Sequence, residues 1–260
     1  MLYALLKGHI SFPLLGWLLN GIYYSLILLG IVLAVAGVHG CLTGLGFPPK
    51  KVRLFISLAG ILVLPAGLIS SRAANMFYFP VEQWNFRFFL EQFAQGRHET
   101  FHASLLLPFL LVTLLLSRLQ IDIRKGWDAV FMHIPLAHAV GRVGCLLVGC
   151  CWGREIRLAF MGREWRFDNP VPLYAVCLNL FLYWILRKTF RRQYAAGKPL
   201  AGVVAALYLI LYGILRLGLD LLRRDPIVAL GMTQAQIAML GFIAFGLLLL
   251  IQALRQGRSP

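Results

Sequence analysis

The fold is decided by a stretch near the middle of the chain, His138-Ala-Val-Gly141-Arg142-Val-Gly144-Cys145-Leu-Leu-Val-Gly149-Cys150-Cys151-Trp152-Gly153-Arg154. It closes a run of apolar residues, yet Arg142 carries a full positive charge. A charge near the middle of a hydrophobic span costs at least about 2.5–3.5 kcal/mol on insertion scales, so it needs a compensating interaction. In a helix, His138, Arg142 and Cys145 share one face. The stretch therefore predicts a buried cationic face inside a membrane helix.

The composition is that of a polytopic helical membrane protein. Of the 260 residues, 60% are hydrophobic and only 13% are charged, and the mean hydropathy is +0.76. A soluble domain carries about 25% charged residues. We therefore expect an all-α fold with about seven transmembrane helices in a single integral membrane domain, 1–260. The predicted spans are Leu14–Val38, Leu54–Ser71, Phe101–Ser117, Trp127–Val148, Pro170–Leu186, Leu200–Leu222 and Thr233–Leu254.

The distribution of the net charge of +15 argues against nucleic acid as a partner. Basic residues gather between the first and second, third and fourth, and fifth and sixth spans and at the end of the chain, where Asp122 is the one acid. The positive-inside rule then places the N-terminus outside and the C-terminus in the cytoplasm. The opening of the chain lacks a small-residue cleavage pattern, so no cleaved signal peptide is expected. Two longer outer segments, 72–100 and 150–169, are rich in aromatic and charged residues and suit the lipid headgroup layer.

A second ionisable group within an apolar span is Arg216. One stripe of its helix is polar, because four residues recur at every fourth position: Tyr208, Tyr212, Arg216 and Asp220. One interpretation is that Asp220 simply neutralises Arg216. The other is a role shared with Arg142, since guanidinium groups bind phosphate and phospholipid headgroups supply it at that depth. Arg72, at the outer end of the second span, is either a third member or a snorkelling arginine.

A histidine and a group of cysteines are further candidates for a chemical role. His102 stands at the outer start of the third span, and a histidine there can take up a proton near neutral pH, as a general base must; a hydrogen-bonded structural histidine is the alternative. Three of the five cysteines cluster as C-x4-C-C, which is not a usual zinc spacing, so no metal site is predicted. That cluster has three interpretations: a disulfide, a reactive thiol beside Arg142 and Arg154, or thiols that simply pack in the interior.

Short motifs follow one another in a characteristic order along most of the chain: Tyr24-Ser25-Leu26, Ser70-Ser71-Arg72, Phe101-His102-Ala103-Ser104-Leu105, Asp128, Pro135, Gly141-Arg142-Val-Gly144-Cys145, Gly149-Cys150-Cys151-Trp152-Gly153-Arg154, Asn169-Pro170-Val-Pro172-Leu173-Tyr174, Tyr212-Gly213-Ile-Leu-Arg216-Leu-Gly-Leu-Asp220 and Gly231-Met232-Thr-Gln234-Ala-Gln236. Their order and the seven-span topology resemble the prolipoprotein diacylglyceryl transferase family. The resemblance implies a multi-pass enzyme of the bacterial cytoplasmic (inner) membrane with its active site toward the outer leaflet. It implies transfer of the diacylglyceryl group of phosphatidylglycerol to a lipoprotein cysteine thiol, release of glycerol phosphate, and no cofactor.

The resemblance also implies roles for particular residues. Carried over by position, His102 would activate the acceptor thiol, and Arg142 and Arg216 would hold the phosphate that becomes the leaving group. The implied substrate-binding set is Tyr24, Arg72, Cys145, Cys150, Arg154, Tyr174, Tyr212 and Asp220.

The chain departs from the family pattern at five positions: Cys145 for asparagine, Cys150 for glutamate, Asn169 for histidine, Ala175 for glutamate and Ser104 for glycine. These departures indicate a divergent branch, which leaves a second interpretation open. It is a related transferase that keeps the phospholipid donor but uses another acceptor or transfers the headgroup. A third, from a different class, is a non-catalytic lipid-binding or thiol- and metal-handling membrane protein built on C-x4-C-C.

Overall fold

A computed structural model describes residues 13–73, 85–95, 105–160, 163–195, 197 and 200–256, most of which are helical. The helices in this described part are α1 (Pro13–Gly44), α2 (Pro49–Ala73), α3 (Phe86–Gln95), α4 (Leu106–Arg118), α5 (Ile123–Val148), α6 (Val171–Ala195), α7 (Val203–Asp220) and α8 (Gln234–Gln256). Two short antiparallel pairs join them: β1 (Glu155–Phe160) with β2 (Arg163–Asp168), and β3 (Ile227–Ala229) with β4 (Met232–Thr233). The predicted all-α membrane fold is confirmed, and the two strand pairs were not predicted from the sequence.

Six of the helices, α1, α2, α5, α6, α7 and α8, are long and apolar enough to cross a membrane. They coincide with six of the seven predicted spans. The remaining span, Phe101–Ser117, begins outside the described residues, and its described part is the 13-residue apolar helix α4. Only 17% of the most apolar windows of α1, α2 and α8 is buried, against 56% for α7. Because such apolar surface is stable only in lipid, the chain is a multi-pass membrane protein.

Packing divides the chain into two compact units. The first contains the described residues up to Val38, Trp127–Asp225 and those from Phe242 onward, and within it α6 packs against α7. The second contains His39–Gly126 and Pro226–Gly241, and within it α2 packs along α4 and contacts α3. The prediction of a single domain stays a prediction.

Side chains next to the helix starts satisfy the amides that a helix leaves free there. Asp122 Oδ1 accepts a hydrogen bond of 2.9 Å from the Lys125 amide at the start of α5. Thr233 and Gln236 form a reciprocal capping box at the start of α8, with hydrogen bonds of 3.0 and 3.1 Å. These polar residues at the edges of apolar runs explain where the two helices begin.

The start of α7 is instead held by a carboxylate from α5. Asp128 is fully buried and accepts hydrogen bonds from the Gly202 amide (2.8 Å), the Ala205 amide (2.9 Å) and the Tyr194 hydroxyl (3.0 Å). Gly202 has a φ of 97°, a left-handed conformation that glycine adopts without strain. The first amides of α7 are therefore paired, although this helix has no side-chain cap of its own.

Small residues let α1 lie directly against α5. A Cβ atom at Gly30 would be 2.8 Å from the carbonyl oxygen of Ala137, and one at Gly144 would be 2.8 Å from the ring of Tyr23. These distances are shorter than real Cβ contacts, so a side chain at Gly30 would displace backbone and one at Gly144 would displace the Tyr23 ring. The close approach covers part of the stretch that carries Arg142.

Replacing Gly30 by alanine is expected to lower the free energy of unfolding by about 1–3 kcal/mol, because the added methyl group meets a backbone carbonyl that cannot rotate away. Unfolding in mixed micelles, followed by circular dichroism during titration with sodium dodecyl sulfate, measures the effect. Gly21→Ala is the matched control, since it lies in the same helix with open space around it. Equal stability of the two variants would contradict this packing of α1.

Candidate active site

The predicted cationic face of α5 carries Arg142, and His138 lies next to it on the same face. Arg142 Nε donates a hydrogen bond of 3.1 Å to His138 Nε2, one helical turn earlier. Because Nε2 accepts this bond, the neutral imidazole carries its proton on Nδ1. The ring of His138 lies 5.8 Å from that of Tyr212 on α7. Arg142 thus has a neutral partner, and within the described part of the chain it forms no ion pair.

The polar stripe of α7 faces the interior of the first unit. Arg216 Nη1 lies 2.9 Å from Asp220 Oδ1, and Arg216 Nη2 lies 3.7 Å from Asp225 Oδ2. The pairing of Arg216 with Asp220, one of the two interpretations from sequence, is therefore present. Arg216 still has 12% of its side chain accessible, so the pairing leaves it able to contact a ligand.

A third arginine, Arg223, follows α7 and was not considered in the sequence analysis. Its Nε lies 2.8 Å from Asp225 Oδ2. Burial alone would raise the pKa of Asp225, but the hydrogen bond and charge of Arg223, with the charge of Arg216, outweigh it and hold that pKa below its usual value. Asp225 is therefore a carboxylate at neutral pH.

All three arginines line one small, partly open cavity within the first unit. Its remaining walls come mainly from α6 and α7 and are largely apolar: Val171, Ala175, Leu178, Leu215 and Leu219. Asp220 and Asp225 offset two of the three positive charges. One positive charge, on Arg142, remains without a carboxylate partner in the described structure. The cavity is therefore suited to a ligand with an anionic end and an apolar end.

Asn179 on α6 also lines the cavity, and sequence reasoning missed it. The residue is 5% exposed; its Nδ2 donates a hydrogen bond of 2.7 Å to the Ala175 carbonyl oxygen, and its Oδ1 is buried without a partner. A buried acceptor left unpaired costs about 1–3 kcal/mol, so it is available to a ligand hydroxyl. A lone amide within the apolar span Pro170–Leu186 was the signal that could have identified it.

Arg154 does not line the cavity, but it contacts the backbone of a segment that does. Its amide donates a hydrogen bond of 2.7 Å to the Leu222 carbonyl oxygen, and its Nε donates one of 2.9 Å to the carbonyl oxygen of Arg223. The preceding Gly153 has no room for a side chain, because a Cβ atom there would collide with the same Leu222 oxygen. This segment therefore fixes the backbone that carries Arg223.

Other predicted site residues lie elsewhere. Tyr24 is 68% exposed, and Tyr174 is also exposed; neither lines the cavity. Arg72 belongs to the second unit, where its Nη1 donates a hydrogen bond of 2.8 Å to the Phe93 carbonyl oxygen and its guanidinium lies 5.3 Å from the Phe93 ring centre. His102 lies outside the described residues. The roles of all four stay predictions.

The three clustered cysteines meet just beyond the end of α5. The sulfur atoms of Cys145, Cys150 and Cys151 all lie within 4.8 Å of one another, and no cysteine of the described residues forms a disulfide. Hydrogen bonds from the thiols of Cys145 and Cys150 lower the pKa of Cys151, and the charges of Arg142 and Arg223 act in the same direction. Positive charge from two arginines therefore favours the ionised form of the Cys151 thiol.

Comparison with known proteins gives a consistent result. A sequence profile described as prolipoprotein diacylglyceryl transferase matches residues 15–252. The phosphatidylglycerol–prolipoprotein diacylglyceryl transferase of Clostridium tetani is 32% identical over 117 residues, 40% of this chain and 43% of that protein. A second transferase of that name, from Clostridium perfringens, is 32% identical over 136 residues, 47% of this chain and 49% of that protein.

A third relative with the same printed name, from Idiomarina loihiensis, is 27% identical over 167 residues, which are 60% of each chain. The chain thus aligns with roughly half the length of these curated relatives. The profile match, in contrast, extends over nearly all of the chain and includes every residue of the cavity. The chain therefore belongs to the prolipoprotein diacylglyceryl transferase family.

Proposed function

We propose that this protein transfers the diacylglyceryl group of phosphatidylglycerol to the cysteine thiol of a lipoprotein precursor. The observation that carries the proposal is that Arg142 and Arg216 line one cavity whose other walls are apolar. A phospholipid has this combination, with an anionic phosphate next to a glycerol and its acyl chains. The names of the relatives, all transferases that use phosphatidylglycerol, support the same donor.

In this mechanism the arginines bind the phosphodiester and stabilise the charge that grows as the donor reacts. The acceptor thiolate attacks the terminal glycerol carbon of the diacylglyceryl group and forms a carbon–sulfur bond. The carbon–oxygen bond to phosphate breaks, and glycerol phosphate leaves with the electron pair. Arg142 contributes most to this step, because its charge is not offset by a carboxylate in the described structure.

The acceptor proton needs a base, and we assign this role to His102. The residue lies outside the described part of the chain, so the assignment rests on the motif Phe101-His102-Ala103-Ser104-Leu105. An imidazole with a pKa near neutrality removes a thiol proton efficiently. His102→Gln is expected to lose transfer activity. Part of the activity should return at higher pH, because the acceptor thiol then ionises without a base.

The function is tested with purified protein in phospholipid micelles. Phosphatidylglycerol labelled in its acyl chains and a peptide with a lipoprotein signal cysteine are supplied, and the lipidated peptide is measured. Label on the peptide and stoichiometric release of glycerol phosphate are expected. An active relative serves as the positive control. If the folded protein gives neither product while that control is active, the proposal is overturned.

The free acceptor of Asn179 is proposed to bind a hydroxyl group of the donor headgroup. Replacing Asn179 by leucine is expected to raise KM for phosphatidylglycerol about tenfold with little change in kcat, because one hydrogen bond of about 1–1.5 kcal/mol is lost in the ground and transition states alike. Cys177→Ser is the matched control, since Cys177 is an exposed residue of the same helix. An unchanged KM in Asn179→Leu would remove Asn179 from the binding site.

The cysteines favour a second candidate, a transferase with the same donor but another acceptor or another transferred part. Cys145 and Cys150 lie in one thiol cluster, at positions where the family resemblance leads us to expect asparagine and glutamate. A deletion strain separates the two functions. Unprocessed lipoproteins indicate the first function, whereas normal lipoproteins and a missing lipid or glycan product indicate the second.

We also propose that the N-terminus is outside, the C-terminus in the cytoplasm and the cavity toward the outer leaflet of the bacterial cytoplasmic membrane. The basic segments between alternate spans support this orientation. Fusions of alkaline phosphatase and green fluorescent protein to the C-terminus test it. Fluorescence without phosphatase activity is expected, and the opposite pattern would reverse the orientation.

A further inference from the structure

Three thiols that the sequence separates are brought together in the structure. Cys145 lies in the last turn of α5, and Cys150 and Cys151 follow that helix. Their sulfur atoms lie within 4.8 Å of one another, with Cys145 buried, Cys150 partly buried and Cys151 exposed. The cluster therefore has two sheltered members and one member that is open to the surroundings.

A tight turn at the end of α5 brings these thiols together. Gly149 has a φ of 77°, and the amides of Gly149 and Cys150 donate hydrogen bonds of 3.0 and 3.1 Å to the Cys145 carbonyl oxygen. This turn reverses the chain over the end of α5. Cys151 then has a φ of 63°, a left-handed conformation that residues with a side chain rarely adopt. The turn thus places all three sulfur atoms on one side of the chain.

We propose that Cys145, Cys150 and Cys151 form a binding site for a thiophilic d10 metal cation, Zn²⁺ or Cu⁺. Three thiolates bound to one ion at about 2.3 Å have sulfur atoms about 4 Å apart, so a small adjustment of the present cluster is sufficient. Binding releases the thiol protons to solvent and involves no oxidation or reduction. Soft thiolate ligands select these ions over Mg²⁺ or Ca²⁺.

The neighbouring charges fit such a complex. Arg142 and Arg223 place positive charge next to Cys151. Three thiolates with one Zn²⁺ have a net charge of −1, and with one Cu⁺ a net charge of −2, so the occupied site is an anion that these arginines stabilise. Cu⁺ is satisfied by three sulfur ligands, whereas Zn²⁺ prefers a fourth, which water can supply at the exposed side of Cys151.

No metal site is predicted from the sequence, because C-x4-C-C is not a usual zinc spacing. That prediction used the spacing of the cysteines along the chain, whereas metal binding depends on the distances between the sulfur atoms in the folded protein. The three residues replace or extend positions of the family motif around Arg142, so the site is a property of this chain beyond the proposed transfer reaction.

Metal analysis of the full-length protein in detergent tests the proposal. The protein is reduced under anaerobic conditions, exposed in separate samples to buffered Zn²⁺ or Cu⁺, desalted and analysed by mass spectrometry. One bound ion per chain is expected in at least one arm, and the arm that binds more tightly identifies the ion. Substitution by Co²⁺ should give thiolate-to-cobalt charge-transfer absorption.

Matched serine variants keep the test specific. Cys150→Ser and Cys151→Ser are expected to weaken binding at least about tenfold, because even changes outside the direct ligands cost about 10–100-fold. Cys41→Ser and Cys177→Ser should bind like the parent protein, since these two cysteines lie outside the cluster. Thermal melting of each variant confirms that it is folded.

Two outcomes would overturn the proposal. The first is metal uptake by the reduced parent protein no greater than that of the triple Cys→Ala variant. The second is a disulfide between two of the three thiols, detected by mass after alkylation without reduction, in protein that takes up no metal after reduction. Neither measurement depends on transferase activity, so failure here is distinct from failure of the proposed function.

Discussion

Replacing Arg142 by alanine is expected to lower kcat/KM for diacylglyceryl transfer by about 10²–10³-fold. Removal of one preorganised donor that stabilises developing charge has an effect of this size. Arg142 is the cleanest position for the test because its only hydrogen-bond partner in the described structure is the neutral His138. Initial rates with labelled phosphatidylglycerol at several donor concentrations measure the change.

Two variants make the result interpretable. Arg142→Lys keeps the charge without the forked geometry and is expected to recover part of the activity. Arg157→Ala removes an exposed arginine of β1 that pairs with Glu155, and it should retain full activity. Equal activity of Arg142→Ala and the parent protein would contradict a phosphate-binding role for this side chain.

Arg216→Ala is a less direct test, because Arg216 also pairs with Asp220, which is 3% exposed. Removing one partner of a buried ion pair destabilises a protein by about 3–5 kcal/mol. Its activity must therefore be measured at a temperature where the variant is shown to be folded.

Replacing Asp128 by alanine is expected to lower the free energy of unfolding by about 3–5 kcal/mol. The change removes a charged acceptor of three hydrogen bonds and leaves the amides of Gly202 and Ala205 and the hydroxyl of Tyr194 without it. Each buried donor left unpaired costs about 1–3 kcal/mol. Titration with sodium dodecyl sulfate, followed by circular dichroism, measures the loss.

The same helix supplies a control for Asp128. Asp122 caps the exposed start of α5, and Asp122→Ala is expected to cost about 1 kcal/mol. Asp128→Asn should be intermediate, since it keeps one accepting oxygen. If Asp128→Ala and Asp122→Ala had equal effects, the bonds from α7 to Asp128 would contribute little to stability.

The sequence was sufficient to predict the membrane class, six helices and the family, because hydrocarbon thickness and the cost of a buried charge act on short segments of chain. Arg142 and Arg216 were identified for the same reason. The strand pair β1–β2 was not foreseen, because its 12 paired residues lie in a polar segment for which periodicity is a weak signal.

Tertiary structure alone decided which of the candidate residues meet. It brought Arg223 and Asn179 to the cavity with Arg142 and Arg216, and it left Tyr24 and Tyr174 on the surface. It also gathered three thiols that are spaced irregularly along the chain. The physical reason is that a cavity wall depends on how α5, α6 and α7 pack, and packing is set by contacts between residues far apart in sequence, which local patterns do not contain.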